Sequence, residues 1–283
     1  MFPVSTPEGS SPTEVVTQAE IFNTYEYFRI HVRSGIEETH SFRELVYLDV
    51  SEDWAGEVTR YVDSNHKLKV DCRINYNSMT KTFWVRVKPE AIHGCQVDWM
   101  RRQFTAWSTS GVLSSSEDWF LNPEIGTGTT MRDFQAPYTS SIKEPDYMLR
   151  CRDTRQPQLV IEASWAESWS RLLDDKHLWL AGGNGEVGAV LLLQWLKVGS
   201  LGKRVCGLVE LYGVDEHGNI VMKQRESIFP VPPSEETAPV IPISRHMLFG
   251  TRSPGQAPTL SLDISRLREA ATKALGLMGL LPA

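Results

Sequence analysis

Two carboxylates set 16 positions apart, Asp146 and Glu162, are the residues whose types and spacing suggest a reaction. Asp146 follows Pro145, and Glu162 closes the apolar run Leu159-Val160-Ile161, which reads as a buried strand. A carboxylate emerging from buried backbone is costly to leave unpaired. Two of them at neighbouring strand ends can hold a hard divalent cation through oxygen ligands. Such an ion activates water and neutralises charge on a phosphate under attack. Taken alone, Pro-Asp is common in turns, and a strand-end glutamate can simply meet solvent. Lys176 sharpens the reading. It lies on the apolar stripe of a helix expected over Ala166–Ala181, four residues after Leu172 and four before Leu180. On that side its ammonium wants a carboxylate partner and is placed to orient a water or stabilise developing charge. The bland alternative is a lysine snorkelling from the edge of the stripe.

Stepwise along the chain, the elements that must hold these groups can be laid out. Residues 1–18 are rich in Ser, Thr, Pro and Glu and are expected to form a disordered tail. Segment 19–66 reads as an N-terminal extension, with a short helix leading into a strand over Ser41–Asp49. Lys67–Tyr76 and Thr82–Val87 read as a β-hairpin. A helix is expected from Ile92 to Gly111, with Val97, Met100, Phe104 and Trp107 facing a sheet and Arg101 and Arg102 off that stripe. After the central stretch, in which Val187–Leu196 is a strand, Asp215-Glu216-His217-Gly218 marks a second hairpin between Val205–Val214 and Asn219–Phe229. A Pro-rich connection leads to a last helix over Ile264–Met278, with Asp263 or Ser261 as its cap. The expected architecture is one α/β domain, a mixed sheet flanked by helices.

Composition sets limits on partners. A hydrophobic fraction of 41% and a charged fraction of 23% suit a globular chain. The net charge of −6 means that a nucleic-acid partner would need a local basic groove or a bound metal ion. Cys72, Cys95, Cys151 and Cys206 form no C-x-x-C pair, so structural zinc has no support and reduced thiols are expected. The N-terminus lacks the features of a secretory signal and no apolar run is long enough to span a bilayer, so an intracellular location, cytoplasmic or nuclear, is expected. Gly183-Asn184-Gly185-Glu186-Val187-Gly188 matches a dinucleotide fingerprint in letters only, because it follows a helix and precedes a strand. It reads as a helix cap and turn. His93 is expected at the surface or in a capping role, with approach to the site as the alternative. Arg150, Arg152 and Arg155 read as a solvated hairpin or as phosphate contacts.

Pro145-Asp146 followed by Glu162-Ala163-Ser164 resembles the PD-(D/E)XK nuclease superfamily, the restriction-endonuclease-like fold. Ser164 stands where that pattern has lysine. Some families of this fold are similar in carrying the lysine on the following helix, and Lys176, 14 positions after Glu162, fits that placement. The wider layout is similar to nuclease-like domains of filamentous fungi: Lys143-Glu144-Pro145-Asp146, the Val-Ile-Glu strand, Trp179-Leu180 and the Leu-rich strand Val190–Trp195. The resemblance covers roughly residues 70–283, within a nuclease-like domain expected over 67–283. It implies a nuclease dependent on Mg²⁺ or Mn²⁺, with metal on Asp146, Glu162 and the Ala163 carbonyl. It also implies Lys176 as the catalytic cation, Gln96 or Glu90 as a further site residue, and nucleic acid as substrate. The alternatives are an inactive nuclease-fold binding protein, or an enzyme on a small molecule reusing the fold. Asp146→Ala is expected to remove metal-dependent activity and leave the fold intact.

Overall fold

The computed structural model describes residues 13–124, 129–165, 169–199, 202–233, 239–250 and 259–283. Its first unit is built on period-two alternation. Strand β1 (Glu14–Gln18), helix α1 (Tyr25–Glu38), strand β2 (Arg43–Leu48), helices α2 (Glu52–Asp63) and α3 (His66–Lys69), and strands β3 (Cys72–Asn77) and β4 (Thr82–Val87) follow in order. The strands form one sheet in the order β1-β2-β4-β3. Leu45, Tyr47, Ile74, Tyr76, Phe83 and Val85 pack with Phe28, Val32, Val58 and Val62 of the helices into a closed core. The alternate residues Glu44, Arg73, Asn75, Trp84 and Arg86 are also buried, on the opposite face. In the ladder, Arg86 stands opposite both Glu44 and Arg73.

Three expectations change here. Glu14–Gln18, assigned to a disordered tail, is a strand paired in parallel with β2; residues 1–12 lie outside the described residues. Ser41–Asp49 carries a strand and no helix, because both faces of β2 are covered. The boundary at residue 67 falls inside a sheet that draws strands from both sides of it.

The rest of the described chain continues with α4 (Cys95–Thr109), α5 (Ser115–Phe120), β5 (Leu121–Glu124), β6 (Tyr147–Cys151), β7 (Leu159–Trp165), α6 (Trp169–Gly182) and β8 (Ala189–Val198). Then come β9 (Arg204–Val214), β10 (Ile220–Phe229), β11 (Val240–Ser244), α7 (Arg245–Phe249), β12 (Thr259–Asp263), α8 (Ile264–Leu277) and β13 (Leu281–Pro282). Strands β5 to β10 lie side by side in sequence order, and β13 joins β9. All neighbours in that path run antiparallel except β7 and β8, which are parallel and joined through α6. One face of this sheet packs on α4 and α8; the other packs on α6.

Local chemistry explains the helix limits. A 3₁₀ turn, Ala91–Gly94, precedes α4, so the helix starts at Cys95. Its buried line runs through Gln96, Trp99, Met100, Gln103 and Trp107, with Val97 and Phe104 at the margin. The indoles of Trp99 and Trp107 donate to the Asp263 and Ser261 carbonyls at 2.8 and 3.0 Å, which gives these tryptophans polar as well as apolar work. Asp263 caps α8 through Ser265 N–H at 2.8 Å. Gly182–Gly188 is the turn from α6 to β8, as its position between helix and strand implied. The start of the expected helix, 166–168, lies outside the described residues.

Candidate functional site

The pairing of β6 with β7 stops at Tyr147 opposite Ile161, so residues 162–165 lose their ladder partner on that side. Backbone polar groups released this way inside a protein need other partners. Side chains supply them. Ala163 N–H donates to Asp146 Oδ2 at 2.8 Å, and the Ala163 carbonyl accepts from Arg86 Nη2 at 2.9 Å. Arg86 Nη1 and Arg73 Nη1 both donate to Asp146 Oδ1, at 2.7 and 2.5 Å. Arg86 Nε continues to Glu44 Oε1 at 3.1 Å. Arg171 of α6 then binds the other Glu44 oxygen and reaches Glu14 at 2.7 Å. A chain of alternating charge therefore joins the two large sheets.

Glu162 sits in an adjoining group. Its Oε1 accepts from the Trp179 indole at 2.9 Å and lies 3.4 Å from Lys143 Nζ. That same ammonium lies 2.5 Å from Asp175 Oδ2 of α6. Asp146, Lys143, Glu162 and Asp175 are all buried. The Trp84 ring is the floor shared by both groups: Arg86, Lys143 and Arg171 place their charges 5.2, 5.1 and 5.5 Å from its centroid. Above Asp175 and Trp84 the surface dips into a crevice of about 10 Å³, room for one water at most.

The charges shape one another. Burial alone would push the Asp146 carboxyl up, but Arg86 and then Arg73 outweigh it and hold the group below the usual aspartate range. Lys143 is also buried, a force toward neutrality, yet Asp175 and Glu162 keep its affinity for the proton above the ordinary value. Glu162 goes the other way: burial pushes it up to about 7, and its neighbours Asp146 and Asp175 add to the effect against Lys143. Counting the two groups together, Arg73, Arg86, Lys143 and Arg171 face Glu14, Glu44, Asp146 and Asp175, so the set is neutral when Glu162 holds its proton.

Against the expected site, the structure brings Asp146, Glu162 and Ala163 together and leaves Lys176 apart. Lys176 Nζ lies over the Tyr212 ring, 4.2 Å from its centroid, and burial lowers its proton affinity against the pull of Glu210 and Asp174. Tyr212 in turn donates to Glu210 at 2.6 Å. Lysine near Glu162 is supplied by Lys143 instead, from the segment entering β6. Gln96 is buried and donates to the His93 carbonyl, within its own helix entrance, while Glu90 accepts from the indole of Trp165, at the end of β7, at 2.9 Å. Ser164 is buried, and its hydroxyl has no partner among the described residues. His93 is neither a surface nor a capping residue: it is 1% exposed, stacked on Phe42 at 4.7 Å, and burial followed by the charge of Arg86 lowers it to about 3. Arg152 and Arg155 are exposed, as a solvated hairpin implies, and Arg152 donates to the Trp119 carbonyl at 2.7 Å and lies over the Trp119 ring.

The fit of a metal ion follows from these bonds. Asp146 accepts from two guanidinium groups and one amide, and the Ala163 carbonyl is taken by one of the same guanidinium groups. A divalent ion on those oxygens would meet Arg86 at bonding distance. Among the described residues, no three His, Cys, Asp or Glu side chains converge as a metal-binding group. The expected ligands therefore do not fit the ion in this conformation. The same bonds argue against the expectation that Asp146→Ala spares the fold, since this carboxylate ties both sheets together. Among the described residues, no helix is long and apolar enough to cross a membrane, and none of the four cysteines is in a disulfide, three of them being buried. No known family model matches the chain, and no curated protein is significantly similar to it.

Proposed function

We propose that this chain is a PD-(D/E)XK nuclease-like protein of the restriction-endonuclease-like fold whose acidic centre is closed, so that it works as a catalytically silent binding scaffold. The observation that carries the reading is Arg86, which bonds at once to the Asp146 carboxylate and the Ala163 carbonyl. Support for the fold comes from the order of elements: a helix, three antiparallel strands, a helix and a parallel strand, with Asp146 entering the second strand and Glu162 on the third. The charge pattern favours a protein partner over nucleic acid. The chain is acidic overall, and Arg73, Arg86 and Arg171 are spent on internal carboxylates. An intracellular setting is part of this proposal.

A second reading, a nuclease dependent on Mg²⁺ or Mn²⁺ that hydrolyses phosphodiester bonds, is favoured by one observation. Asp146 and Glu162 are both buried and feel each other's charge, and Lys143 lies 3.4 Å from Glu162. The deciding experiment is cleavage of single- and double-stranded DNA and RNA with either ion, run beside Asp146→Asn and Glu162→Gln. The scaffold reading expects none from the folded chain. Metal-dependent cleavage that disappears in both variants would overturn it in favour of the second reading.

A further inference from the structure

We propose that Arg86 is a built-in cation that fills the position a divalent ion would take in the acidic centre, and thereby excludes the ion. The inference rests on the closed-centre reading above. One carboxylate oxygen, from Asp146, and one backbone carbonyl oxygen, from Ala163, are ligands of the type hard divalent cations use, and the guanidinium meets them at 2.7 and 2.9 Å. A third oxygen, from Glu44, lies 3.1 Å from Arg86 Nε. Three oxygens, from β2, from β7 and from the segment entering β6, thus converge on one positive group. That group arrives on β4, from the first sheet, whereas Ala163 lies in the second and Asp146 at the entrance to its strand β6, so the occupant is delivered by a separate layer. Arg73 does not duplicate it: its bond is to the same Asp146 oxygen and its Nε has no partner among the described residues.

Charge balance points the same way. Removing Arg86 takes the positive charge away from the Asp146 and Glu44 carboxylates that it bonds, and a divalent ion at the same place supplies a replacement. Buried carboxylates left without a counter-charge are strongly unfavourable, so the vacated position acquires a preference for such an ion that the intact chain lacks. Oxygen ligands and the double charge select Mg²⁺ or Mn²⁺ over soft metals.

The test uses the full chain and Mn²⁺ alone, read by calorimetric titration and by the unfolding midpoint. Wild type is expected to bind no Mn²⁺ through Asp146. Arg86→Ala is expected to bind one Mn²⁺ at least about tenfold more tightly than wild type, with a midpoint that rises with Mn²⁺, since a ligand specific to the native state stabilises it. Both effects are expected to vanish in Arg86→Ala/Asp146→Asn. A folded Arg86→Ala that gains no Mn²⁺ response overturns the proposal, as does wild type that already binds Mn²⁺ through Asp146. Should Arg86→Ala fail to fold, Arg86→Gln decides, because it removes the positive charge while its amide can still donate to one of the vacated oxygens: stabilisation by Mn²⁺ supports the proposal and its absence sinks it. Cleavage by the wild-type chain would instead defeat the scaffold reading itself.

Discussion

Glu162 and His93 set opposite pH dependences, and replacing Glu162 separates them. Glu162 has an ordinary value of 4.5 and is raised to about 7, so between those limits the native state keeps a proton that the unfolded chain has released. Stability from this group is complete at pH 4.5 and falls as pH rises through about 7. The interval corresponds to roughly 3 kcal/mol at about 1.36 kcal/mol per pK unit. His93 acts in reverse: its ordinary 6.5 is lowered to about 3, so the unfolded chain binds the extra proton and stability rises over that interval by up to roughly 5 kcal/mol. Wild type should therefore show a shallow dependence between pH 4.5 and 6.5, the sum of two opposed slopes. Glu162→Gln keeps the side-chain carbonyl for the Trp179 indole and removes the titration. Its stability relative to wild type should improve by roughly 3 kcal/mol between pH 4.5 and 8. Urea unfolding at half-unit pH steps, with constant m, measures this difference directly. Parallel curves for wild type and Glu162→Gln across that range would refute the claim that Glu162 is buried among like charges.

Other substitutions probe the remaining contacts. Asp146→Ala strips the shared acceptor from Arg73 and Arg86 and orphans the Ala163 amide, so it should cost about 3–5 kcal/mol in urea unfolding. Lys176→Met should cost under about 2 kcal/mol, because what it gives up is the charge over the Tyr212 ring. The same variant should leave the pH profile of Glu162 unchanged, a point checked by repeating the titration.

Much of the second sheet was legible because its signals were local. The apolar run before Glu162, the glycine-rich turn after α6, the Asp215–Gly218 hairpin and the Asp263 cap each depend on residues within a few positions. Lys176 shows the limit of such reasoning. Periodicity put it on the buried side of α6, correctly, since it is 8% exposed. But a stripe gives a face and no position along the sheet, and Lys176 lies over β9 at Tyr212 instead of over β7. Lys143 was visible beside Pro145-Asp146 but carried no periodic signal, because the segment before β6 is irregular. Arg73 and Arg86 were missed for another reason. Their alternation with Ile74, Val85 and Val87 assigns them to the sheet face away from α1 and α2, which reads as solvent until a second layer is known to cover it. The ladder then sets the two arginines opposite each other, an arrangement that needs an anion between them, and Asp146 is that anion.

The central claim, that the acidic centre is a closed ionic clasp, is tested most directly by a double-mutant cycle between Arg86 and Asp146, using Arg86→Met, Asp146→Leu and the pair, followed by urea unfolding at pH 7. If the two groups are buried partners, each single change leaves the other charge without this partner and the double change removes both ends of the bond, so the pair should cost less than the two singles together, by about 2–3 kcal/mol. Additivity within about 0.5 kcal/mol would contradict the account, because it would mean that Arg86 and Asp146 meet solvent separately instead of each other.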